Sequence, residues 1–138
     1  MKNNIKTKSC VVSGWGLNKK ANVNIISENN IELIQEFVKG AEPGSIISRG
    51  LGRSYGDAAQ LNNKYAISLK AFNKIKINFE DHTVTAGAGL SMEELIKVII
   101  PKGFFIPVSA GTRKITIGGA LAADIHGKNH HKDGSFGN

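Results

Sequence analysis

The sequence predicts an α+β fold, and three observations carry the prediction: short apolar runs of strand character, a few helical stretches with their own caps, and an excess of glycine punctuating both. The 138 residues amount to one domain. Apolar residues make up 41% and charged residues 21%, which excludes wholesale disorder. The 16 glycines exceed the typical share of about 7% but follow no fibre-like period, so they mark turns and close backbone approaches. Cys10 is the one cysteine, which excludes an internal disulfide framework and a Cys-rich zinc site. No apolar run approaches the about 18 residues of a membrane helix. The start, Met1-Lys2-Asn3-Asn4-Ile5-Lys6, lacks the apolar segment of a signal peptide. These features describe a soluble domain of a reducing compartment.

Along the chain, residues 9–13 are a short apolar stretch ending at Gly14-Trp15-Gly16, and residues 23–26 follow after an Asn-rich passage. Asn29 or Asn30 caps a helix running to about Lys39, with Ile31, Leu33, Ile34, Phe37 and Val38 on one face. Gly40 and Pro43 stop it. Residues 45–48 read as a buried strand running straight into a glycine-rich loop, residues 49–57. Strands follow at 65–69, at 75–79, where apolar and polar residues alternate, and at 83–87. Ser91-Met92-Glu93-Glu94 has capping-box spacing and opens a helix with Leu95, Ile96, Ile99 and Ile100 inward, stopped by Pro101 and Gly103. Residues 104–108 read as extended, and the small residues of 116–123 suit a tightly packed helix. Neither a repeat nor a linker is visible. The last residues, Gly134-Ser135-Phe136-Gly137-Asn138, are loop chemistry right after the densest polar cluster, which predicts a truncated chain.

The 18 Lys and Arg against 11 Asp and Glu give a net charge of +7. Lys2, Lys6, Lys8, Lys19 and Lys20 put part of that excess at the N-terminus, where residues 1–12 read as a basic arm. A nucleic-acid surface interleaves basic residues with stacking aromatics, and apart from Trp15 the aromatics lie away from these lysines. An anionic small ligand such as a phosphate ester fits the charge equally well.

The strongest local signal is Arg49-Gly50-Leu51-Gly52-Arg53-Ser54-Tyr55-Gly56-Asp57. Glycines at this density after a strand let the backbone turn and present consecutive N–H groups, a nest for phosphate oxygens, to which Arg53 and Ser54 add charge and a hydroxyl. The spacing G-x-G-x-x-x-G is one residue longer than the dinucleotide fingerprint, and no Gly-Lys-Ser/Thr follows. The alternative is a plain glycine turn between strands; the two arginines favour a diphosphate. A second glycine-rich site comprises Ala110-Gly111-Thr112-Arg113 and Thr116-Ile117-Gly118-Gly119. There a helix start meets a phosphate or a flat ring, or small residues merely let elements pack closely. His126, His130 and His131 cluster with Lys128 and Asn129. Gly127 and Asn129 interrupt the helical spacing a zinc pair would need, so no metal is expected, and the loop offers donors to a hydroxyl, a phosphate or a flavin carbonyl. Cys10 reads as a packed small hydrophobe, and Trp15 either stacks on a ring or packs in the core.

Taken together, Gly14-Trp15-Gly16, residues 49–57, Gly111-Thr112-Arg113, Gly118-Gly119 and Asp124-Ile125-His126-Gly127-Lys128-Asn129-His130-His131, with Gly134-Ser135-Phe136-Gly137, resemble one family in motif order from about Ser13 onward. It is the decaprenylphosphoryl-β-D-ribose 2-oxidase family, within the vanillyl-alcohol-oxidase or PCMH type of FAD-linked oxidases. The resemblance implies a PCMH-type FAD-binding domain of two subdomains, with residues 13–138 holding the first and the start of the second. It implies that Ser48, Arg49, Gly50, Leu51, Gly52, Arg53, Ser54, Tyr55, Gly56, Asp57 and Ala58 wrap the FAD diphosphate. Gly111, Thr112, Thr116, Ile117, Gly118 and Gly119 would continue along the cofactor. His126, Gly127, Lys128 and Asn129 would reach the flavin ring, with His126 and Lys128 also bordering the substrate.

In such a family hydride passes from the carbon of a sugar hydroxyl to flavin N5, and a partner short-chain reductase completes an epimerisation that feeds cell-wall arabinan. The implied substrate is a sugar or prenyl-phosphate-linked sugar. The implied setting is cytoplasmic, with at most peripheral membrane contact and no nucleic-acid partner. Related oxidases carry a flavin-linked His in a Gly-x-Gly-His-Ser loop; Arg53 stands at that place, which implies FAD held without a covalent bond. The family's substrate domain and general base lie beyond Asn138, so this chain alone is expected to be inactive and to hold FAD weakly. Two rivals remain: an FAD-dependent sugar-lactone or alditol oxidase, and a non-catalytic phosphate- or nucleic-acid-binding module.

Overall fold

Alternation along residues 20–26 puts Ala21, Val23 and Ile25 on one side and Asn22, Asn24 and Ile26 on the other, the signature of a strand with two working faces. In a computed structural model describing residues 5–137, this segment is β2 (Lys20–Ile26), antiparallel to β1 (Thr7–Ser13). The basic arm expected over residues 1–12 thus becomes an edge strand from Thr7, and its first four residues lie outside the described ones. Helix α1 (Ile31–Lys39) starts where Asn30 Oδ1 accepts from the Leu33 N–H at 3.1 Å and ends at Gly40, as the sequence predicts. β3 (Ile46–Arg49) and β4 (Lys64–Ser68) complete a sheet of order β1-β2-β4-β3, with β4 parallel to both neighbours.

The register sorts the side chains. Cys10, Val12, Ala21, Val23, Ile25, Ile47 and Ala66 cluster on one face. Ile26 pairs with Ile67 on the other, where Phe37 of α1 meets Tyr65 edge-on with ring centroids 5.1 Å apart. This first unit ends at Ala71.

The second unit begins at Phe72. It opens with a hairpin of β5 (Ile75–Asn78) and β6 (Thr83–Ala86), turned by Asn78, whose Oδ1 accepts from the Glu80 N–H at 3.0 Å. The capping box is present: Ser91 Oγ accepts from the Glu94 N–H at 3.1 Å, and Glu94 Oε2 accepts from the Ser91 N–H at 2.9 Å. It starts α2 (Met92–Ile99), followed by one 3-10 turn (Ile100–Lys102) that Gly103 terminates. Residues 104–108 have no strand partner, yet Ile106 and Val108 are buried while Phe105 and Pro107 are exposed, as in an extended segment. Two short helices, α3 (Ile117–Ala122) and α4 (His130–Asp133), follow. Leu90, Met92, Leu95, Ile99, Ile106 and Ala120 form the core, against which Ile75 and Ile77 pack. The architecture is α+β in both units. No helix among the described residues is long and apolar enough to cross a membrane.

Candidate functional site

β3 and β4 are parallel neighbours, so the chain must return the length of a strand between them, a crossover that usually contains a helix. Here residues 50–63 make the return as turns and loop. Arg49, the last residue of β3, ties this loop down: Nη1 donates to the Ala59 carbonyl at 2.7 Å and Nη2 to the Ser13 carbonyl at 2.6 Å. Burial lowers its guanidinium from the ordinary value. Gly52, at φ +66°, lies where a Cβ would run into that guanidinium. On the other side the Trp15 N–H donates to the Ser54 carbonyl at 3.1 Å, and buried Gly14 lies so close that a Cβ would overlap the Gly56 carbonyl oxygen. The Gly14-Trp15-Gly16 turn is therefore a backbone buttress for the loop. Trp15 and Tyr55 are both exposed and meet edge-on, centroids 6.5 Å apart.

Asp57 spends its carboxylate on Lys19 Nζ at 2.9 Å, and this hydrogen bond, with the charge behind it, holds the carboxyl below its ordinary value. The loop's own amides stay free. None of the N–H groups of residues 50–56 donates to another described residue, and those residues are exposed except half-buried Gly52. Arg53 has no ion-pair partner among the described residues, and Ser48 and Ala58 are exposed at the loop's two ends. A run of free amides bent by positive φ at Gly52 and Gly56, with a free cation beside it, is a donor set for an anion such as a diphosphate. The residues fit that group.

The second unit holds a cleft of about 540 Å³ lined by Ser109, Ala110, Gly111, His126, Gly127, Lys128, Asn129 and His130. It gathers five of the predicted residues, Gly111 and residues 126–129. The Gly127 carbonyl lies 3.0 Å from His130 Nδ1 and 3.4 Å from His126 Nδ1, and the two rings lie 4.7 Å apart. A carbonyl only accepts, so this contact with His130 is a hydrogen bond in the tautomer that carries the proton on Nδ1. Asn129 Nδ2 donates to Asp133 Oδ2 at 2.6 Å, and Lys128 is exposed without an ion pair among the described residues. The rim is rich in donors, suited to an oxygen-rich ligand.

Thr112, Thr116, Ile117, Gly118 and Gly119 stand outside that cleft lining. Thr112 Oγ1 accepts from the Lys114 N–H at 3.2 Å. The first amides of α3 are spent inside the unit: Ile117 N–H on the Leu90 carbonyl at 2.8 Å, Gly118 N–H on the Ala88 carbonyl at 2.9 Å, and Gly119 N–H on Thr116 Oγ1 at 3.1 Å. At Gly118 these contacts describe close packing against Ala88, whereas Gly119 is exposed, with only the Thr116 hydroxyl beside it. Sequence reasoning missed Ser109 in the cleft and the Ser13 and Ala59 carbonyls beneath the loop, since a carbonyl acceptor leaves no mark on residue type. No group of three or more His, Cys, Asp or Glu among the described residues is placed to hold a metal ion.

Comparison with known proteins gives a consistent picture. Residues 25–138 match the profile of the FAD binding domain. A curated relative named decaprenylphosphoryl-beta-D-ribose oxidase, from Mycolicibacterium smegmatis, is 44% identical over 129 residues, covering 91% of this chain and 28% of that protein. Among solved structures, cholesterol oxidase from Brevibacterium sterolicum superposes with a TM-score of 0.78 at 20% identity, over 92% of this chain and 26% of that one. An alkyldihydroxyacetonephosphate synthase superposes with a TM-score of 0.67 at 22% identity, over 87% and 23%. The chain thus spans about a quarter of the length of these relatives.

Proposed function

The chain belongs to the FAD binding domain family, and we propose that it is the cofactor-holding part of an oxidoreductase that oxidises a sugar hydroxyl. The family establishes FAD as the cofactor. The 44% identity to a decaprenylphosphoryl-ribose oxidase supports a pentose carried on a prenyl phosphate as the substrate class. The single observation that carries the assignment is the run of unsatisfied amides over residues 50–56.

When bound, FAD supplies the hydride acceptor, flavin N5. The amides of residues 50–56 would hold its diphosphate, and Arg53 would add the counter-charge that neutral amides lack. Arg53 also stands where a flavin-linked His would be needed for a covalent bond, so the cofactor is held by contacts alone. In the second unit the donor-rich cleft receives the sugar, with His126 and Lys128 against its oxygens. Turnover by residues 1–138 alone is not expected, in keeping with their coverage of only 28% of the relative.

The test is reconstitution of the full-length protein. It should take up FAD and bleach anaerobically with a prenylphosphoryl pentose, and amide exchange over residues 50–56 should slow when FAD is added. A colourless protein that gains no flavin absorbance after incubation with FAD would refute the assignment. Bleaching by alditols or lactones in place of the lipid-linked pentose would refute the substrate class.

A further inference from the structure

A guanidinium is a rigid fork of donors that pairs with planar oxygen partners two at a time. Arg49 uses its fork on two uncharged carbonyls from separate parts of the chain, Ala59, 10 residues on, and Ser13, 36 residues before. No carboxylate pairs with it among the described residues. The two acceptors bracket the glycine loop: Ser13 leads directly into the turn that docks on Ser54, and Ala59 closes the loop's far side. A Cβ on Gly52 would press on the Arg49 guanidinium where its two hydrogen bonds hold it, so the bend of the loop is fitted to this arginine.

We propose that Arg49 is a positioning residue, which holds the amides of residues 50–56 in the array that receives the diphosphate and does not itself touch the phosphate. The proposal rests on the reading of that loop as the diphosphate site. It separates the two arginines that the sequence presents as equivalents: one shapes the loop, and Arg53 is left to face the ligand.

The test uses the full-length protein with FAD removed and added back. Arg49→Lys keeps the charge but cannot span both carbonyls; Arg49→Gln removes the charge. A positioning role predicts that both weaken FAD binding alike, on the order of tenfold. With FAD driven on at saturation, the phosphorus-NMR resonances of its diphosphate should shift from their wild-type positions, and amide exchange over residues 50–56 should stay faster than in the wild type. A residue that only supported the fold would lower Tm and leave both signatures at wild-type values once saturated, an outcome that overturns the proposal. So would wild-type affinity in Arg49→Lys, since charge alone would then suffice. Should the Arg49 variants not fold, Gly52→Ala, which presses on the guanidinium and also strains the backbone at φ +66°, is compared with Gly56→Ala, which strains the same loop at φ +63° with nothing near the new Cβ: the proposal requires the larger FAD-affinity loss and phosphorus shift in Gly52→Ala, and equal effects overturn it. Should FAD leave exchange over residues 50–56 unchanged in the wild type, the diphosphate reading itself falls, independently of any substitution.

Discussion

Gly14→Ala adds one methyl group, yet the structure gives it nowhere to go. The new Cβ would overlap the Gly56 carbonyl oxygen, and because the neighbour is backbone no rotamer change relieves the clash. The turn and the loop must part, which also breaks the 3.1 Å hydrogen bond from Trp15 N–H to the Ser54 carbonyl. Overpacking of this kind costs about 1–3 kcal/mol and the lost hydrogen bond about 1 kcal/mol. Since the strain falls on the arrangement that offers the amides, it appears in cofactor affinity, where about 1.4 kcal/mol is tenfold. The expected rise in the FAD Kd is therefore between about 30-fold and about 700-fold. Titration of the FAD-free full-length protein by quenching of flavin fluorescence reads the Kd, and circular dichroism reads strand content alongside. An affinity within about threefold of wild type, with strand content kept, would show that the buttress does not matter to binding.

Three further outcomes follow from the same contacts. Ser91→Ala removes the cap of α2 and should lower unfolding stability by about 1 kcal/mol, seen as a lower Tm, with the flavin content of the folded protein kept. Lys128→Met withdraws the free ammonium from the cleft and should raise the KM for a prenylphosphoryl sugar by about tenfold, in steady-state assays of the full-length enzyme. The Lys19–Asp57 pair lowers the Asp57 pKa and raises that of Lys19. Its contribution is therefore present above the ordinary carboxylate value of 3.8, fades as pH falls through the lowered value, and is lost at the alkaline end above the ordinary 10.5 of Lys19. Comparing Asp57→Asn with wild type by denaturant titration should show a small difference at pH 7 that vanishes in acid and shrinks in high salt, because both side chains are exposed to solvent.

What could be read from the sequence was local. Asn30 and Ser91 announce α1 and α2 because a cap and the amide it satisfies lie within one turn of each other. The glycines of the loop announce themselves because Gly52 and Gly56 require a backbone conformation that few other residues adopt. What stayed hidden depends on partners distant in the chain. β1 looked like part of a basic arm because an edge strand buries little, and among its residues only Cys10, Val12 and Ser13 are even half-buried. Gly118-Gly119 kept two readings because the Ala88 and Leu90 carbonyls that take the first amides of α3 lie far upstream. Arg49 and Arg53 looked alike for the same reason: the carbonyls that claim one of them carry no signature in residue type.

The order β1-β2-β4-β3 has a consequence for how the first unit is made. One of its two inner strands, Lys64–Ser68, is the last of the four to leave the ribosome, so for a time Lys20–Ile26 and Ile46–Arg49 each wait with a bare hydrogen-bonding rim and no common neighbour. Such rims recruit foreign strands. A nascent chain whose emerged part ends between residues 50 and 63 would thus be sticky in a way the finished one is not, and a chaperone-depleted translation extract should lose more of this protein to aggregates when a stall leaves Lys64 still inside the ribosome than when Ser68 has emerged.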